Sequence, residues 1–250
     1  MKAMDIYSKM QREAKAGKKK FAVLIDPDKN TLAGIQKLTE LSFASKVDYF
    51  FMGGSLLMKD HLDEFTGYIR NHCTIPVLLF PGNNLQLNNK ANGILLLSLI
   101  SGRNPELLIG RHVISAPFLK ESDLEIIPTG YMLIDGGNAS TVAYMSNTNP
   151  IPANKSEIAV CTAMAGEMLG LKLIYMDAGS GAQRPVPASM ITSVKKHIGI
   201  PLIIGGGITS PEKALDALRA GADVIVVGNA IEKDPDLIPR IAAAVRSENG

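Results

Sequence analysis

Two kinds of chemistry are carried by short clusters in this 250-residue chain. The stretch IIGGGITSPE, Ile203 to Glu212, runs an apolar segment straight into three glycines. Glycine forfeits packing and rigidity, so at this point the backbone is needed more than any side chain. Ser210 suits a helix cap, Pro211 the first turn and Glu212 the positive end. Leu215 and Leu218 give that helix an apolar face, and Gly221 closes it. Strand, glycine turn and helix N-terminus together bring N–H groups to a common anion, for which phosphate is the leading candidate. Gly228-Asn229 follows the last apolar run and opens a short turn before the final helix, so Gly206, Gly207, Gly228 and Asn229 read as one phosphate site. In YMDAGSGA, Tyr175 to Ala182, the residues Gly179, Ser180 and Gly181 offer N–H groups and a hydroxyl to the same anion. Asp177 at that strand end would accept a proton or bind a substrate hydroxyl; its other reading is a cap on the following turn.

The second chemistry is cationic. Asp26 in IDPDK and Ser55 in GGS put a carboxylate and a hydroxyl at neighbouring strand ends, a donor pair that suits Mg²⁺ shared with substrate phosphates. Asp28, Lys29 and Arg103 would add contacts there or are surface charges. The histidines His61, His72, His112 and His197 show no metal-ligand spacing. Cys73 and Cys161 are too few for a disulfide framework or a structural zinc site. Cys161 falls on an apolar helical stripe with Ile158, Ala165 and Met168 and reads as core.

Positioning these clusters takes a scaffold of repeated units. Eight apolar runs, from FAVLI at Phe21 through YMLI at Tyr131, read as the fifth, to DVIVV at Asp223, lack the alternation of half-exposed strands and read as parallel strands buried on both faces. Amphipathic patterns lie between them, one with Met58, Leu62, Phe65 and Ile69, another with Ile191, Val194 and Ile198. Eight such units predict a closed (β/α)8 TIM barrel, a single domain over residues 1–250. One unit is irregular. The connection PGNNLQLNNKAN, Pro81 to Asn92, is polar and short, so the third helix should be missing or replaced. Glycine, asparagine, serine and aspartate follow the strands rather than precede them, at the barrel end where enzymes of this architecture place their sites.

With 26 basic and 24 acidic residues the net charge is +2, and nothing points to a nucleic-acid partner. Lys18-Lys19-Lys20 reads as a solvated loop, with weak attraction to anionic lipid as its alternative. The N-terminus MKAMDIYSKMQREAKAGKKK reads as a short amphipathic helix rather than a signal peptide. No apolar run approaches the ~20 residues of a membrane span. The expectation is a cytoplasmic protein with at most peripheral membrane contact.

Taken in order, FAVLIDPDK (21–29), FMGGS (51–55), GILLLSLISGRNP (93–105), YMDAGSGA (175–182), IGGGI (204–208) and VVGNAI (226–231) resemble the geranylgeranylglyceryl phosphate synthase family and its bacterial PcrB-like relatives. The resemblance implies a modified TIM barrel lacking its third helix. It implies a Mg²⁺-dependent enzyme that alkylates the C3 hydroxyl of sn-glycerol 1-phosphate with a long prenyl diphosphate, geranylgeranyl diphosphate foremost, giving an ether-lipid precursor and diphosphate. On that analogy Asp26 and Ser55 hold the metal. Tyr175, Met176, Asp177, Ala178, Gly179, Ser180, Gly181, Gly206, Gly207, Gly228 and Asn229 hold glycerol phosphate, with Asp177 and Tyr175 at the reacting hydroxyl. The family often carries Glu where this chain has Asp177, and one branch carries Lys where this chain has Leu24. That departure resembles the second group, often found as larger homo-oligomers such as hexamers. Leu56, Leu96, Leu99, Ile100, Phe118 and Leu119 would line a prenyl groove or belong to the core. Two rivals share the phosphate corner: an FMN- or phosphosugar-binding barrel enzyme, and a non-catalytic phosphate-binding barrel.

Overall fold

The computed structural model describes residues 5–59 and 61–250. Eight parallel strands close in sequence order into a barrel: β1 Lys20–Ile25, β2 Tyr49–Met52, β3 Val77–Leu79, β4 Gly93–Leu99, β5 Glu125–Leu133, β6 Leu173–Asp177, β7 Leu202–Gly205 and β8 Val224–Val227. Each strand divides its apolar residues between two layers, because successive side chains point to opposite faces. Ala22, Phe51, Leu95, Ile127, Tyr175, Ile203 and Val226 form the inner cluster. Phe21, Val23, Phe50, Met52, Ile174, Met176 and Ile204 form an outer cluster with the surrounding helices.

The helix α1, Ile6–Lys15, precedes the barrel and closes its lower end. Ile6 and Met10 join the inner cluster, and the Glu125 carboxylate at the start of β5 accepts the free N–H groups of Ile6 and Tyr7 at 2.6 and 2.8 Å. The amphipathic reading of this segment therefore holds. The lysine run beside it is not a solvated loop. Lys20 begins β1 and pairs with Glu13 and Asp48, each at 3.0 Å, and Lys19 donates to the Ala222 carbonyl.

Helices α2 (Leu32–Ala44), α3 (Leu62–His72), α4 (Arg111–Glu121), α5 (Thr141–Ser146), α6 (Ser156–Met168), α7 (Ala188–Lys195), α8 (Pro211–Arg219), α9 (Asn229–Lys233) and α10 (Leu237–Ser247) complete the chain. No helix joins β3 to β4, as the polar 81–92 stretch predicts. Side-chain amides organise that loop instead. Gln86, 2% exposed, accepts from Gly54 and Gly82 N–H and donates to the Gly54 carbonyl; Asn92 caps the Val77 N–H at 2.8 Å. These bonds satisfy backbone groups that a helix would otherwise satisfy internally.

Three readings are corrected. Strand β5 begins at Glu125, not near Tyr131, because Pro128, Thr129 and Gly130 interrupt the apolar pattern without breaking the ladder to β4. Met58 lies outside α3 and is exposed. On α6 the buried face is Ala159, Ala163 and Gly166, small residues that bring the helix close to the barrel, so Cys161, Ile158, Ala165 and Met168 face outward. Among the described residues no helix is long and apolar enough to cross a membrane.

Candidate functional site

Two cavities meet at the C-terminal mouth of the barrel. The polar one, about 320 Å³, is lined by strand ends and loops of β1, β2, β6, β7 and β8. It gathers Asp26, Ser55, Tyr175, Asp177, Gly179, Ser180, Gly181, Gly206, Gly207, Gly228 and Asn229, residues spread over two hundred positions of sequence. Met176 and Ala178 do not line it. Met176 sits one residue out of phase with Tyr175 and Asp177 and so belongs to the outer layer; Ala178 is buried there as well, its N–H bonded to the Gly205 carbonyl.

The three glycines that end β7 and follow it have distinct steric reasons. A Cβ on Gly205 would run into the Tyr175 hydroxyl. At Gly206, where φ is +78°, a Cβ would sit 2.6 Å from Asp177 Oδ1 and 2.7 Å from the Ala178 nitrogen. At Gly207, also left-handed, the Arg184–Pro185 backbone occupies the space. Ser210 caps α8 through the Lys213 N–H, with Pro211 and Glu212 in the first turn. Among the described residues the N–H groups of Gly206, Gly207 and Gly228 have no backbone acceptor and are free to donate to a bound group. Ser180 and Asn229 exchange hydrogen bonds at 2.9 and 3.1 Å, tying the sixth and eighth loops together across this corner.

Asp177 is the buried carboxylate of the site, 7% exposed. Its Oδ2 accepts from the Tyr131 hydroxyl at 2.7 Å and its Oδ1 from the Gly179 N–H at 2.8 Å. Burial raises its pKa, and those two donors pull it partly back. Tyr131 and Tyr175 are raised well above the ordinary phenol value by burial and then by the Asp177 charge, so both stay protonated; Tyr131 spends its proton on Asp177. Tyr131 was not singled out in the sequence, although its pairing with Tyr175 in the β5–β6 register puts the two rings on one face. Phe80 stacks on Tyr175 at 5.0 Å and joins the two tyrosines in an aromatic floor.

Opposite, Asp26 accepts from the Asp28 N–H at 3.1 Å and pairs with Lys29 at 2.9 Å. Lys29 also reaches Asn229 at 3.3 Å and lies 4.0 Å from Glu232, whose pKa burial raises and the Lys29 charge lowers. Asp28 is occupied elsewhere, accepting the N–H groups of Met58 and Lys59 and so pinning the loop after β2. Arg103 is exposed and bonds to the Ile100 and Gly102 carbonyls, outside both cavities. Among the described residues no cluster of three or more His, Cys, Asp or Glu side chains is placed to hold a metal ion. Asp26 beside Ser55 fits Mg²⁺ only as an all-oxygen partial site, completed by ligand phosphates and water.

The second cavity, about 440 Å³, is lined mostly by aliphatic side chains, with Asn83, Asn84, Glu106, Arg111 and His112 among them. Ile94 and Leu96 of β4, from the outer layer, form its inner wall; Leu107, Ile114, Ser115 and Leu119 of the α4 region and Leu85 and Leu87 of the helix-free loop enclose it. The missing third helix is what leaves this outer wall of the barrel open. Of the six residues expected along a groove, Leu96, Leu99 and Leu119 line this cavity and Leu56 lines the polar one, whereas Ile100 and Phe118 line neither. Gly54, Ser55, Phe80 and Val142 border both cavities and form the junction.

Comparison with known proteins agrees with this arrangement. Geranylgeranylglyceryl phosphate synthases of Chitinophaga pinensis and Spirosoma linguale are 57% and 55% identical to this chain, covering 95% and 94% of it and 94% of each relative. The crystal structure of (S)-3-O-geranylgeranylglyceryl phosphate synthase from Thermoplasma acidophilum, in complex with substrate sn-glycerol-1-phosphate, superposes with a TM-score of 0.92. It is 29% identical to this chain, with 98% of this chain and 99% of that one covered. A model of the PcrB family matches residues 14–245, and the chain belongs to that family.

Proposed function

We propose that this protein transfers a geranylgeranyl group from its diphosphate to the C3 hydroxyl of sn-glycerol 1-phosphate, with Mg²⁺ as cofactor. The observation that carries the reading is the junction at Ser55 and Phe80, where a pocket lined by glycine-rich loops meets a largely aliphatic groove. Glycerol phosphate, held by Gly206, Gly207, Gly228 and Ser180, presents its far hydroxyl to Asp177. The raised pKa makes Asp177 a stronger base than an ordinary carboxylate, and Tyr131 and Gly179 fix its orientation. Tyr175 donates to the same hydroxyl region. The groove holds the prenyl chain, so its diphosphate falls at the junction next to Asp26 and Ser55.

Bound Mg²⁺ would neutralise the departing diphosphate. For Asp26 to serve it, Lys29 must release the carboxylate, and Asn229 and Glu232 stand ready as its other partners. Holding two substrates in one orientation supplies much of the remaining acceleration. We also propose a homo-oligomer, supported by the outward apolar stripe of Ile158, Cys161, Ala165 and Met168 on α6; light scattering that gave a monomer mass would remove it. The test of the reaction is an assay with labelled sn-glycerol 1-phosphate, geranylgeranyl diphosphate and Mg²⁺, with the sn-glycerol 3-phosphate enantiomer in parallel. Label should enter the organic phase only with the first enantiomer, and transfer with neither would sink the reading.

A further inference from the structure

For a cavity read as a phosphate site, the polar one is poor in basic side chains. Among the described residues Lys29 is the only lysine or arginine that lines it, against the carboxylates of Asp26, Asp28, Asp177 and Glu232. That ammonium stands between the two chemistries of the mouth. Its Nζ lies 2.9 Å from Asp26 Oδ2 on the cation side, donates to Asn229 Oδ1 at 3.3 Å on the glycine side, and is 4.0 Å from Glu232 Oε2. Asn229 in turn exchanges hydrogen bonds with Ser180, so the reach of Lys29 ends at the phosphate corner. The surroundings fix Asp26 and leave Lys29 free to move. Asp26 Oδ1 accepts the Asp28 N–H at 3.1 Å and lies against Gly54, where a Cβ would come within 3.0 Å of it. The Asp26 carbonyl is held by the Asn30 amide and the Lys29 N–H, which fixes the backbone of the turn. The Lys29 side chain is 44% exposed, against 16% for Asp26 and 13% for Glu232. Its flexible four-carbon stem can therefore carry the charge from one carboxylate toward the other while the turn stays in place.

We infer that Lys29 is a movable counter-ion that couples the two ligand sites: a divalent cation arriving at Asp26 displaces its ammonium toward Glu232 and Asn229, where it adds a side-chain charge to phosphate binding. The choice of ligands rests on the prenyl-transfer reading. The ammonium and a divalent cation repel each other and compete for Asp26 Oδ2, so one must leave for the other to bind. The displaced charge needs an acceptor, and the buried Glu232 carboxylate is already within 4.0 Å of it. The consequence is thermodynamic. A cation that frees Lys29 for the phosphate must raise glycerol phosphate affinity, and glycerol phosphate must raise cation affinity by the same factor. A static salt bridge would leave the two sites independent, apart from direct contact between their ligands.

The experiment measures binding rather than turnover. Calorimetry follows sn-glycerol 1-phosphate into the full chain with and without Mg²⁺, for wild type and for Lys29→Met, which keeps an unbranched stem and removes the charge. Wild type should bind glycerol phosphate at least about fivefold more tightly with Mg²⁺, the lower end of typical coupling. Lys29→Met should lose that gain, whereas a cation touching the phosphate directly would preserve it. Mn²⁺ followed by electron paramagnetic resonance should bind Lys29→Met about fivefold more tightly than wild type, the order of a partly exposed ion pair. Glu232→Gln should weaken Mn²⁺ binding when made alone but not when made on Lys29→Met, because Glu232 acts by receiving Lys29. Four results would each overturn the inference: a wild-type affinity indifferent to Mg²⁺, a gain retained by Lys29→Met, an unchanged Mn²⁺ affinity, or an equal effect of Glu232→Gln in both backgrounds. Failure of the prenyl-transfer reading would show separately, as wild type that binds both ligands but forms no product extractable into the organic phase.

Discussion

The two halves of the barrel mouth are built by opposite means. On the side of β6, β7 and β8, the surface is backbone: glycines whose missing side chains are already replaced by Tyr175, Asp177 and the Arg184–Pro185 strand of loop. On the side of β3, β4 and α4, the surface is aliphatic side chain laid over a wall that a helix would normally cover. A backbone site has almost no freedom to adapt, which suits a small ligand of fixed stereochemistry. A leucine-lined groove tolerates changes of shape, which suits a flexible chain whose recognition is mostly burial. Specificity for glycerol phosphate and tolerance of prenyl length should therefore separate under mutation.

The largest effect should come from Asp177→Asn. It removes the base but keeps the shape, so kcat should fall by about 10²–10⁴-fold, while glycerol phosphate binding measured by calorimetry changes little. A pure binding defect would remove Asp177 from the proton transfer. Next is Gly206→Ala, which places a methyl group against Asp177 Oδ1 at a left-handed φ. Glycerol phosphate affinity should drop by about 10²-fold or more, in line with losing preorganised donors. Affinity for the prenyl diphosphate should be spared. Leu96→Trp tests the other half. Overpacking the groove costs about 1–3 kcal/mol, so KM for geranylgeranyl diphosphate should rise while a shorter donor is used as before.

A smaller, directional effect belongs to Tyr131→Phe. Its hydroxyl lowers the pKa of Asp177, so the variant's carboxylate should titrate at higher pH. Because the base works only when ionised, activity is lost as pH falls through that pKa, and the acid limb of kcat/KM should move to higher pH. A limb that stays in place, or moves down, would separate Tyr131 from the base. The smallest effect is expected of Asp28→Asn, which weakens the clamp on the loop after β2 and should raise KM by no more than about tenfold, consistent with ~0.5–1.5 kcal/mol for a weakened hydrogen bond.

The same division explains how much could be read before the structure. The convergence of the glycine half was legible because backbone sites demand glycine, and glycine after an apolar run has few other uses; Gly206, Gly207, Gly228 and Ser180 all meet in one cavity. The absent third helix was legible from the asparagines that replace it. The groove half was not, because Leu96, Leu99 and Leu119 have the same composition as core, and only the absence of a covering helix distinguishes them. Met176 was misplaced by taking a motif as a block, where strand parity alternates its members between two layers. Cys161 was misplaced for a related reason: on α6 the apolar stripe faces outward and the small residues face in. The Tyr131–Asp177 bond joins positions 46 residues apart, and only the strand register brings them together.

The most direct test of a divided mouth is a crystal structure with sn-glycerol 1-phosphate and an unreactive thio-analogue of geranylgeranyl diphosphate bound together. The glycerol phosphate group should lie against Gly206, Gly207 and Gly228, with its free hydroxyl within hydrogen-bonding distance of Asp177. The prenyl chain should run past Phe80 along Leu96 and Leu119. A chain lying inside the barrel, or leaving the mouth by any route other than the helix-free wall, would contradict it.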